Sequence, residues 1–221
     1  MSLTCQKSRT TLVLLAVILL AGCQSVYYST MEKFGYEKRD ILVDRVDDAR
    51  EAQQEAKQQF ESALAQFIAV TNYSGGELEK KYNNLKDEYE DSESRADAVH
   101  ERIADVERVA QDLFKEWKEE LSQYSSAELR RSSQANLNAT RTRYRELIGV
   151  MKRAEKKLAP VLAAFHDRVL FLKHNLNARA IASLKTERAR IQADINVLVA
   201  DMNRSIAEAD RFIKEMTPAR K

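Results

Sequence analysis

The sequence predicts an all-α protein, an elongated antiparallel four-helix bundle or coiled coil whose third helix is kinked at Pro160. Apolar residues recur at alternating spacings of three and four after Met31, which is the period of a helix with one buried face. Only five glycines and two prolines occur in 221 residues, which is too few turn formers for many short strands. With 44% hydrophobic residues, the chain is also too apolar to be disordered.

The first two predicted helices are separated at Tyr73–Gly76, because paired glycines supply the left-handed conformations that end a helix. The buried face of the first helix is predicted to consist of Leu42, Val46, Ala49, Ala56, Phe60, Ala63, Phe67 and Val70, with Gln53 in one slot. The second helix carries Leu78, Tyr82, Leu85, Tyr89, Ala96, Val99, Ile103, Val106, Ala110, Leu113 and Trp117, with Ser92 in one slot.

The second half of the chain predicts two more helices. A break is expected at 122–126, where Ser125 and Glu128 form a capping box pattern. Pro160 should kink the third helix, because proline removes a backbone donor and clashes with the preceding turn. His174–Asn177 predicts the last break. The apolar positions of the third helix are Leu129, Tyr144, Leu147, Met151, Ala154, Leu158, Val161, Phe165, Val169 and Leu172. Those of the fourth are Ile181, Leu184, Ile191, Ile195, Leu198, Met202, Ile206, Ala209 and Ile213. Residues 31–217 are expected to form a single domain.

Residues 1–22 have the pattern of a signal peptide. Lys7 and Arg9 precede an apolar run, Leu12–Leu20, that is shorter than the roughly 20 residues of a membrane-spanning helix. The following segment, Leu20-Ala21-Gly22-Cys23, resembles the lipobox of bacterial lipoproteins. This resemblance implies cleavage between Gly22 and Cys23, a diacylglyceryl group on the Cys23 sulfur, and a further acyl chain such as palmitate on its amino group. An ordinary secretory peptide with a chance cysteine is the alternative.

A lipidated linker, residues 23–30, would join the anchor to the helices. The seven residues after Cys23 span at most about 23 Å, so the folded domain is expected to lie close to the bilayer. Tyr27, Tyr28, Phe34 and Tyr36 could lie among the lipid headgroups or pack on the end of the bundle. Gln24 follows the cysteine, and the sorting rules of similar lipoproteins then imply the periplasmic face of the outer membrane of a Gram-negative bacterium.

Charge is balanced overall but unevenly distributed. Without Lys7 and Arg9 the chain has 34 basic and 34 acidic residues, which argues against nucleic acid as a partner. Residues 77–121 contain 15 acidic and 8 basic residues, whereas residues 122–190 contain 5 acidic and 15 basic residues. Helices two and three are therefore expected to attract each other along their flanks.

A basic cluster in the third helix is the main candidate for a binding surface. It consists of Arg130, Arg131, Arg141, Arg143, Arg145, Lys152 and Arg153, followed by Lys156 and Lys157. Such a cluster beside a lipid anchor could contact anionic lipid or a protein partner. Alternatively, it is a solvated face that complements the acidic second helix.

Catalytic, metal-binding and cofactor-binding patterns are lacking in the sequence, and no small-molecule substrate is expected. The three histidines, His100, His166 and His174, lack the carboxylate or cysteine spacing of a metal site. The glycines form no phosphate loop, and no serine or cysteine lies in a nucleophile motif. Trp117 lies at a position of the apolar repeat that is predicted to face the core. These features predict a non-enzymatic protein.

The segments Met31–Tyr36 and Lys38–Val46 resemble a family of bacterial lipoproteins of unknown function. Some members of that family are labelled DNA-repair ATPases, a label that the absence of a nucleotide motif does not support. The leading hypothesis is a structural or interaction module, held on the membrane by its N-terminal lipid, that binds a protein partner or self-associates through its helices. The alternatives are a membrane-binding or membrane-shaping module with a basic face, and the family's ATPase label.

Overall fold

The computed structural model of the protein describes residues 38–73 and 75–217, and all packing reported below lies between residues 42 and 217. Over the described residues the chain forms six α-helices, one 3-10 turn and no strand. The helices are α1 (Lys38–Thr71), α2 (Leu78–Glu120), α3 (Ala127–Glu155), α4 (Leu158–His174), α5 (Ala178–Lys185) and α6 (Arg188–Met216), and the 3-10 turn is Leu121–Gln123. The predicted all-α class is therefore confirmed for this part of the chain. The signal segment, the linker and Cys23 lie outside the described residues.

Most residues of the predicted apolar faces of α1 and α2 are buried, whereas Leu78, Tyr82 and Trp117 of α2 are partly exposed. Phe60 and Phe67 of α1 and Leu85 of α2 have no exposed surface. The helices are separated by Gly75 and Gly76, whose φ angles of +143° and +110° lie in the region that favours glycine. The prediction that paired glycines separate these two helices is therefore confirmed.

The residue that caps α3 differs from the predicted one. Its N-cap is Ser126, whose Oγ accepts a hydrogen bond of 3.3 Å from the backbone N–H of Leu129. Ser125, the predicted cap, lies one residue before it. Ser126 does not complete a capping box, because the residue three positions later is Leu129, but the register of the helix places its hydroxyl, not that of Ser125, within reach of the free N–H groups.

The predicted third helix is divided into α3 and α4. The interruption is a tight turn in which the N–H of Lys157 donates to the carbonyl of Ala154 at 3.0 Å. Pro160 is the third residue of α4, in the first turn, where a missing backbone N–H is tolerated. Its ring would clash with the carbonyl of Lys156, four residues earlier, if the helix were continuous there. The interruption thus lies one turn before the proline.

The predicted fourth helix is also divided, and here the sequence contains no proline. The turn between α5 and α6 is made by Thr186 and Glu187, whose N–H groups donate to the carbonyls of Ser183 and Leu184. Thr186 Oγ1 donates to the Ser183 carbonyl at 2.7 Å as well. Threonine hydroxyls that bond back to the preceding turn compete with the regular helix ladder.

Side-chain contacts show which helices run antiparallel. Between α1 and α6, Arg50 contacts Asp210 and Lys57 contacts Asn203, each at 3.2 Å. Residue numbers therefore rise along α1 as those of the contacting residues fall along α6. The same relation holds for α1 with α2, α2 with α3, and α3–α4 with α5–α6. For α1 with α2 the contacts are Gln59–Glu88 and Glu55–Arg95. For α2 with α3 they are Trp117–Ser133 and Glu107–Lys152. For α3–α4 with α5–α6 they are Arg143–Glu215 and Arg168–Glu187.

The core combines packed aromatic rings with two polar side chains that lack hydrogen-bond partners among the described residues. Phe67 and Phe165 meet edge to face, with ring centroids 6.1 Å apart, and are fully buried. Gln53 and Ser205 are also fully buried, and the amide atoms of Gln53 and the hydroxyl of Ser205 form no hydrogen bond in the described part of the chain. Buried polar atoms without partners are costly, so this level of the core is weaker than the phenylalanine level.

Candidate anion-binding surface

The predicted basic cluster lies along α3, where the structure divides it into paired and unpaired cations. Lys152 Nζ lies 2.5 Å from Glu107 of α2, and Arg143 Nε lies 2.9 Å from Glu215 of α6. The side chains of Arg130, Arg145 and Arg153 are exposed and form no hydrogen bond or ion pair with the described residues. The idea of a face that complements α2 therefore accounts for only part of the cluster.

Two further members of the cluster, Arg131 and Lys157, are held by other groups. Arg131 Nε donates to the carbonyl of Ala127 in its own helix at 3.2 Å. Lys157 Nζ lies 3.8 Å from the buried carboxylate of Asp201 in α6. Lys156 is exposed. Arg143 and Lys157 thus pair with α6, so attraction between the acidic and basic segments is not the only role of these charges.

A surface groove between α2 and α3 is lined by cations that have no described carboxylate partner. It has a volume of about 350 Å³ and is lined by Gln111, Phe114, Lys115, Arg141, Tyr144 and Arg145. Its lining contains three cations and no carboxylate. Lys115 belongs to the acidic helix and was not part of the predicted cluster, because charge counting along the sequence assigns it to a segment of opposite sign.

Arg141 is the fixed cation of the groove. Its Nη2 donates to the backbone carbonyl of Phe114 at 3.0 Å, and its guanidinium carbon lies 5.3 Å from the centre of the Phe114 ring. This arrangement combines a charge-assisted hydrogen bond with a cation–π contact. The guanidinium is therefore held in place before any ligand arrives.

Two aromatic rings form the apolar part of the groove. Phe114 and Tyr144 meet edge to face with centroids 5.4 Å apart. Burial, and then the nearby charge of Glu107, raises the pKa of Tyr144 to about 12. Its phenol is therefore neutral at physiological pH and can donate a hydrogen bond to an anion.

The end of the α2–α3 hairpin exposes apolar side chains beside arginines. Leu129 is 59% exposed and Tyr124 is 40% exposed, next to Arg130 and Arg131. The prediction that Leu129 lies in a buried face is wrong. The contact of Arg143 with Glu215 places the end of α6 level with residue 143, so residues 127–142 of α3 continue beyond the last helical residue of α6.

Trp117 is half-buried rather than a full core residue. Its Nε1 donates to Ser133 Oγ at 2.8 Å, which ties α2 to α3 near the end of the hairpin. An indole with its ring packed and its N–H bonded to a polar group is typical of a boundary position. The predicted core slot is therefore corrected to a boundary contact.

The histidines occupy separate places. His100 Nδ1 lies 2.5 Å from Glu155, and the His166 ring packs against Tyr89 with centroids 5.7 Å apart, whereas His174 is exposed. Within residues 38–73 and 75–217, no three histidine, cysteine, aspartate or glutamate side chains lie close enough to hold a metal ion together. In the same stretch of chain, no helix is both long enough and apolar enough to cross a membrane.

These features define an all-helical protein with a cation-lined surface groove. Residues 27–216 match the family described as "Protein of unknown function (DUF2959)", and the chain belongs to this family. No curated protein and no solved structure matches the chain.

Proposed function

We propose that this protein is a bacterial envelope lipoprotein, anchored through lipid on Cys23, that acts as a non-enzymatic structural or interaction module. The observation that carries the proposal is the segment Leu20-Ala21-Gly22-Cys23, placed directly after a basic and then apolar leader. Two or three acyl chains would give stable attachment, whereas one chain gives only marginal binding. Gln24 favours the periplasmic face of the outer membrane as its location.

An antiparallel four-helix bundle is the architecture proposed for this module. In that architecture α3 and α4 together form the third helix, which bends near Pro160, and α5 and α6 form the fourth. The interhelical contacts described above support this arrangement, because each of the four helix pairs is antiparallel. A bundle of this kind presents long helical faces to a protein partner or to a second copy.

Replacement of Cys23 tests the anchor. Cys23→Ser should leave the precursor unprocessed or release protein from the membrane fraction, because serine cannot accept the thioether-linked lipid. The matched control is Cys5→Ser, the same change within the leader, which should leave processing and fractionation unchanged. Mature Cys23→Ser protein that stayed on the membrane would contradict the proposal.

A second candidate function, membrane binding through the basic face, is favoured by the end of the α2–α3 hairpin. There, exposed Leu129 and Tyr124 adjoin Arg130 and Arg131. Apolar side chains that are flanked by arginines suit the boundary between headgroups and acyl chains. In this function the hairpin rests on the bilayer that holds the anchor, and it shapes that bilayer where several copies assemble.

Trp117 reports on this second candidate. In vesicles that carry the lipidated protein, brominated lipids should quench its fluorescence, because it lies near the end of the hairpin. Replacing Leu129 with serine should reduce quenching, whereas Leu170→Ser, at a leucine of α4 that is 45% exposed, should not. Trp117 fluorescence that brominated lipids leave unchanged would refute contact between the hairpin and the membrane.

A further inference from the structure

The groove between α2 and α3 has the composition of an anion site. Three cations, Lys115, Arg141 and Arg145, line it without a lining carboxylate. Asp112 and Glu146 are next to lining residues in the sequence, but their side chains are not part of the lining. Glu107, whose charge acts on Tyr144, lies outside the lining and pairs with Lys152, so positive charge predominates within the groove itself.

The helical spacing explains why these side chains converge. Arg141 and Arg145 are four residues apart and share one face of α3, as Gln111 and Lys115 do on α2. The two helices are antiparallel, so the two pairs face a common hollow. The side chains of Lys115 and Arg145 are exposed and have no hydrogen bond or ion pair among the described residues.

The cations differ in how free they are to bind a ligand. Arg141 is held by the Phe114 carbonyl and ring, and it presents its remaining N–H donors in a fixed plane. Lys115 and Arg145 can move toward a ligand without breaking any contact described here. One fixed guanidinium and two mobile cations suit a phosphate group, which accepts several charge-assisted hydrogen bonds at once.

The aromatic side chains indicate what is attached to the phosphate. Phe114 and Tyr144 form an apolar wall next to the cations, and the hollow of about 350 Å³ is larger than a bare phosphate ion requires. A phospholipid provides a phosphate, a glycerol backbone and the first methylenes of its chains. Phe114 lies seven residues before Leu121, which directly follows α2, a rise of about 10 Å, and Arg141 lies twelve residues after Leu129, a rise of about 18 Å. The groove is therefore about 10–18 Å from the exposed end of the hairpin.

We propose that this groove binds the phosphate group of an anionic phospholipid, with Arg141 as the fixed ligand, Lys115 and Arg145 as mobile ligands, and the partly exposed Tyr144, backed by the buried Phe114, against the glycerol and acyl carbons. The proposal rests on the membrane location of the proposed function. It goes further by naming a stoichiometric site for one lipid molecule, distinct from the diffuse attraction of a basic surface to a bilayer.

The experiment is a titration of the full-length lipoprotein in a neutral detergent. Short-chain phosphatidylglycerol, short-chain phosphatidylcholine and inorganic phosphate are added separately, and Trp117, the single tryptophan, reports binding by fluorescence. Saturable binding of phosphatidylglycerol that is at least about tenfold tighter than that of the other two compounds is expected, since one charge-assisted contact is worth about that factor. Equal affinity for inorganic phosphate would overturn the assignment of a lipid ligand, and equal affinity for phosphatidylcholine would overturn the requirement for an anionic one.

The decisive variant is the double substitution K115Q/R145Q, because both side chains are exposed and hold no other part of the fold. It should weaken phosphatidylglycerol binding about tenfold or more while the circular dichroism melt stays unchanged. The matched control is K173Q/R179Q, which removes the same charge from exposed positions outside both the groove and the basic cluster, without a described side-chain partner, and should retain the affinity. Equal losses in the two double variants would overturn the site in favour of general charge attraction.

Arg141→Lys separates geometry from charge. Lysine keeps the charge but loses the planar donors, so we expect weaker binding than in the parent protein. Unchanged affinity would remove the fixed guanidinium from the proposal. The binding titration is independent of the Cys23→Ser fractionation, so loss of the anchor assignment and loss of the lipid site give different results.

Discussion

His100 Nδ1 lies 2.5 Å from a carboxylate oxygen of Glu155, so a hydrogen bond links α2 to the last residue of α3. The contact adjoins a hollow of about 390 Å³ beside the interruption between α3 and α4. Hydrogen bonding and then charge attraction from Glu155 raise the pKa of His100 above its ordinary value, and Asp97 and Glu101 act in the same direction. Lys152 and Lys156 line the same hollow.

This contact predicts pH-dependent stability. Because the folded-state pKa of His100 is raised, its stabilising contribution is fully present below the unfolded pKa of about 6.5 and is lost as the pH rises through the folded value. Between pH 6 and pH 8.5 the parent should lose about 1–3 °C of Tm more than His100→Gln, the scale of an exposed ion pair. His174→Gln, at an exposed histidine without a described carboxylate partner, is the control and should behave as the parent. An identical pH dependence in His100→Gln would disprove the coupling.

The buried amide of Gln53 predicts a stabilising substitution. Gln53→Leu should raise the free energy of unfolding by about 1–2 kcal/mol, because a buried unpaired amide carries a desolvation cost that leucine lacks. Urea unfolding followed by circular dichroism measures the change. Gln59→Leu is the matched control and should destabilise the fold, since Gln59 Nε2 donates to Glu88 at 2.6 Å. A destabilised Gln53→Leu variant would mean that the amide makes a favourable contact.

The phenylalanine pair predicts the largest loss of stability. Phe67→Ala or Phe165→Ala should each lower the free energy of unfolding by about 3–5 kcal/mol, because each leaves a cavity in the core. The double variant should lose less than the sum, since the two rings contact each other. Phe171→Ala, at a phenylalanine that is 39% exposed, should cost far less. Equal losses at positions 165 and 171 would contradict the burial described here.

The interruption between α3 and α4 predicts the effect of removing Pro160. Pro160→Ala supplies an N–H that can bond to the carbonyl of Lys156 and thereby extend the helix through the turn. Hydrogen exchange of the amides of residues 156–159 should become slower than in the parent, as measured by mass spectrometry. Ala163→Ser, a change one turn further along α4 that leaves the backbone donors intact, should not alter exchange at this turn. Unchanged exchange in Pro160→Ala would assign the interruption to other residues and would remove support for a proline bend.

Periodicity along the sequence predicts most of the buried positions, because a helix packed on its neighbours buries residues three and four apart. It places Phe60 and Phe165 correctly, and it places breaks at Gly75–Gly76 and before Asn177, where the residue types themselves favour a turn or a cap. It does not predict the turn at Thr186, since that break arises from a side-chain bond within an otherwise regular pattern.

The parts that the sequence does not predict depend on which helix faces which. Leu129 has the correct spacing for a buried residue, yet α3 continues beyond the last helical residue of α6 at that level, and the side chain remains exposed. Lys115 belongs to an acidic stretch, and only the antiparallel pairing of α2 with α3 brings it beside Arg141 and Arg145. Both features follow from the alignment of the helices along one another, which the period of a single helix does not determine.

The pairing of α1 with α6 has a consequence for how the chain matures. Arg50 and its partner Asp210 are 160 residues apart, whereas Trp117 and Ser133 are separated by only 16. Because the chain is synthesised from its N-terminus, α1 can pair with α2, and α2 with α3, soon after these helices emerge, while the side of α1 that faces α6 has to wait for the last helix to be made. During that interval this side of α1 is an unshielded, aggregation-prone surface, and holdase chaperones are expected to bind the chain there.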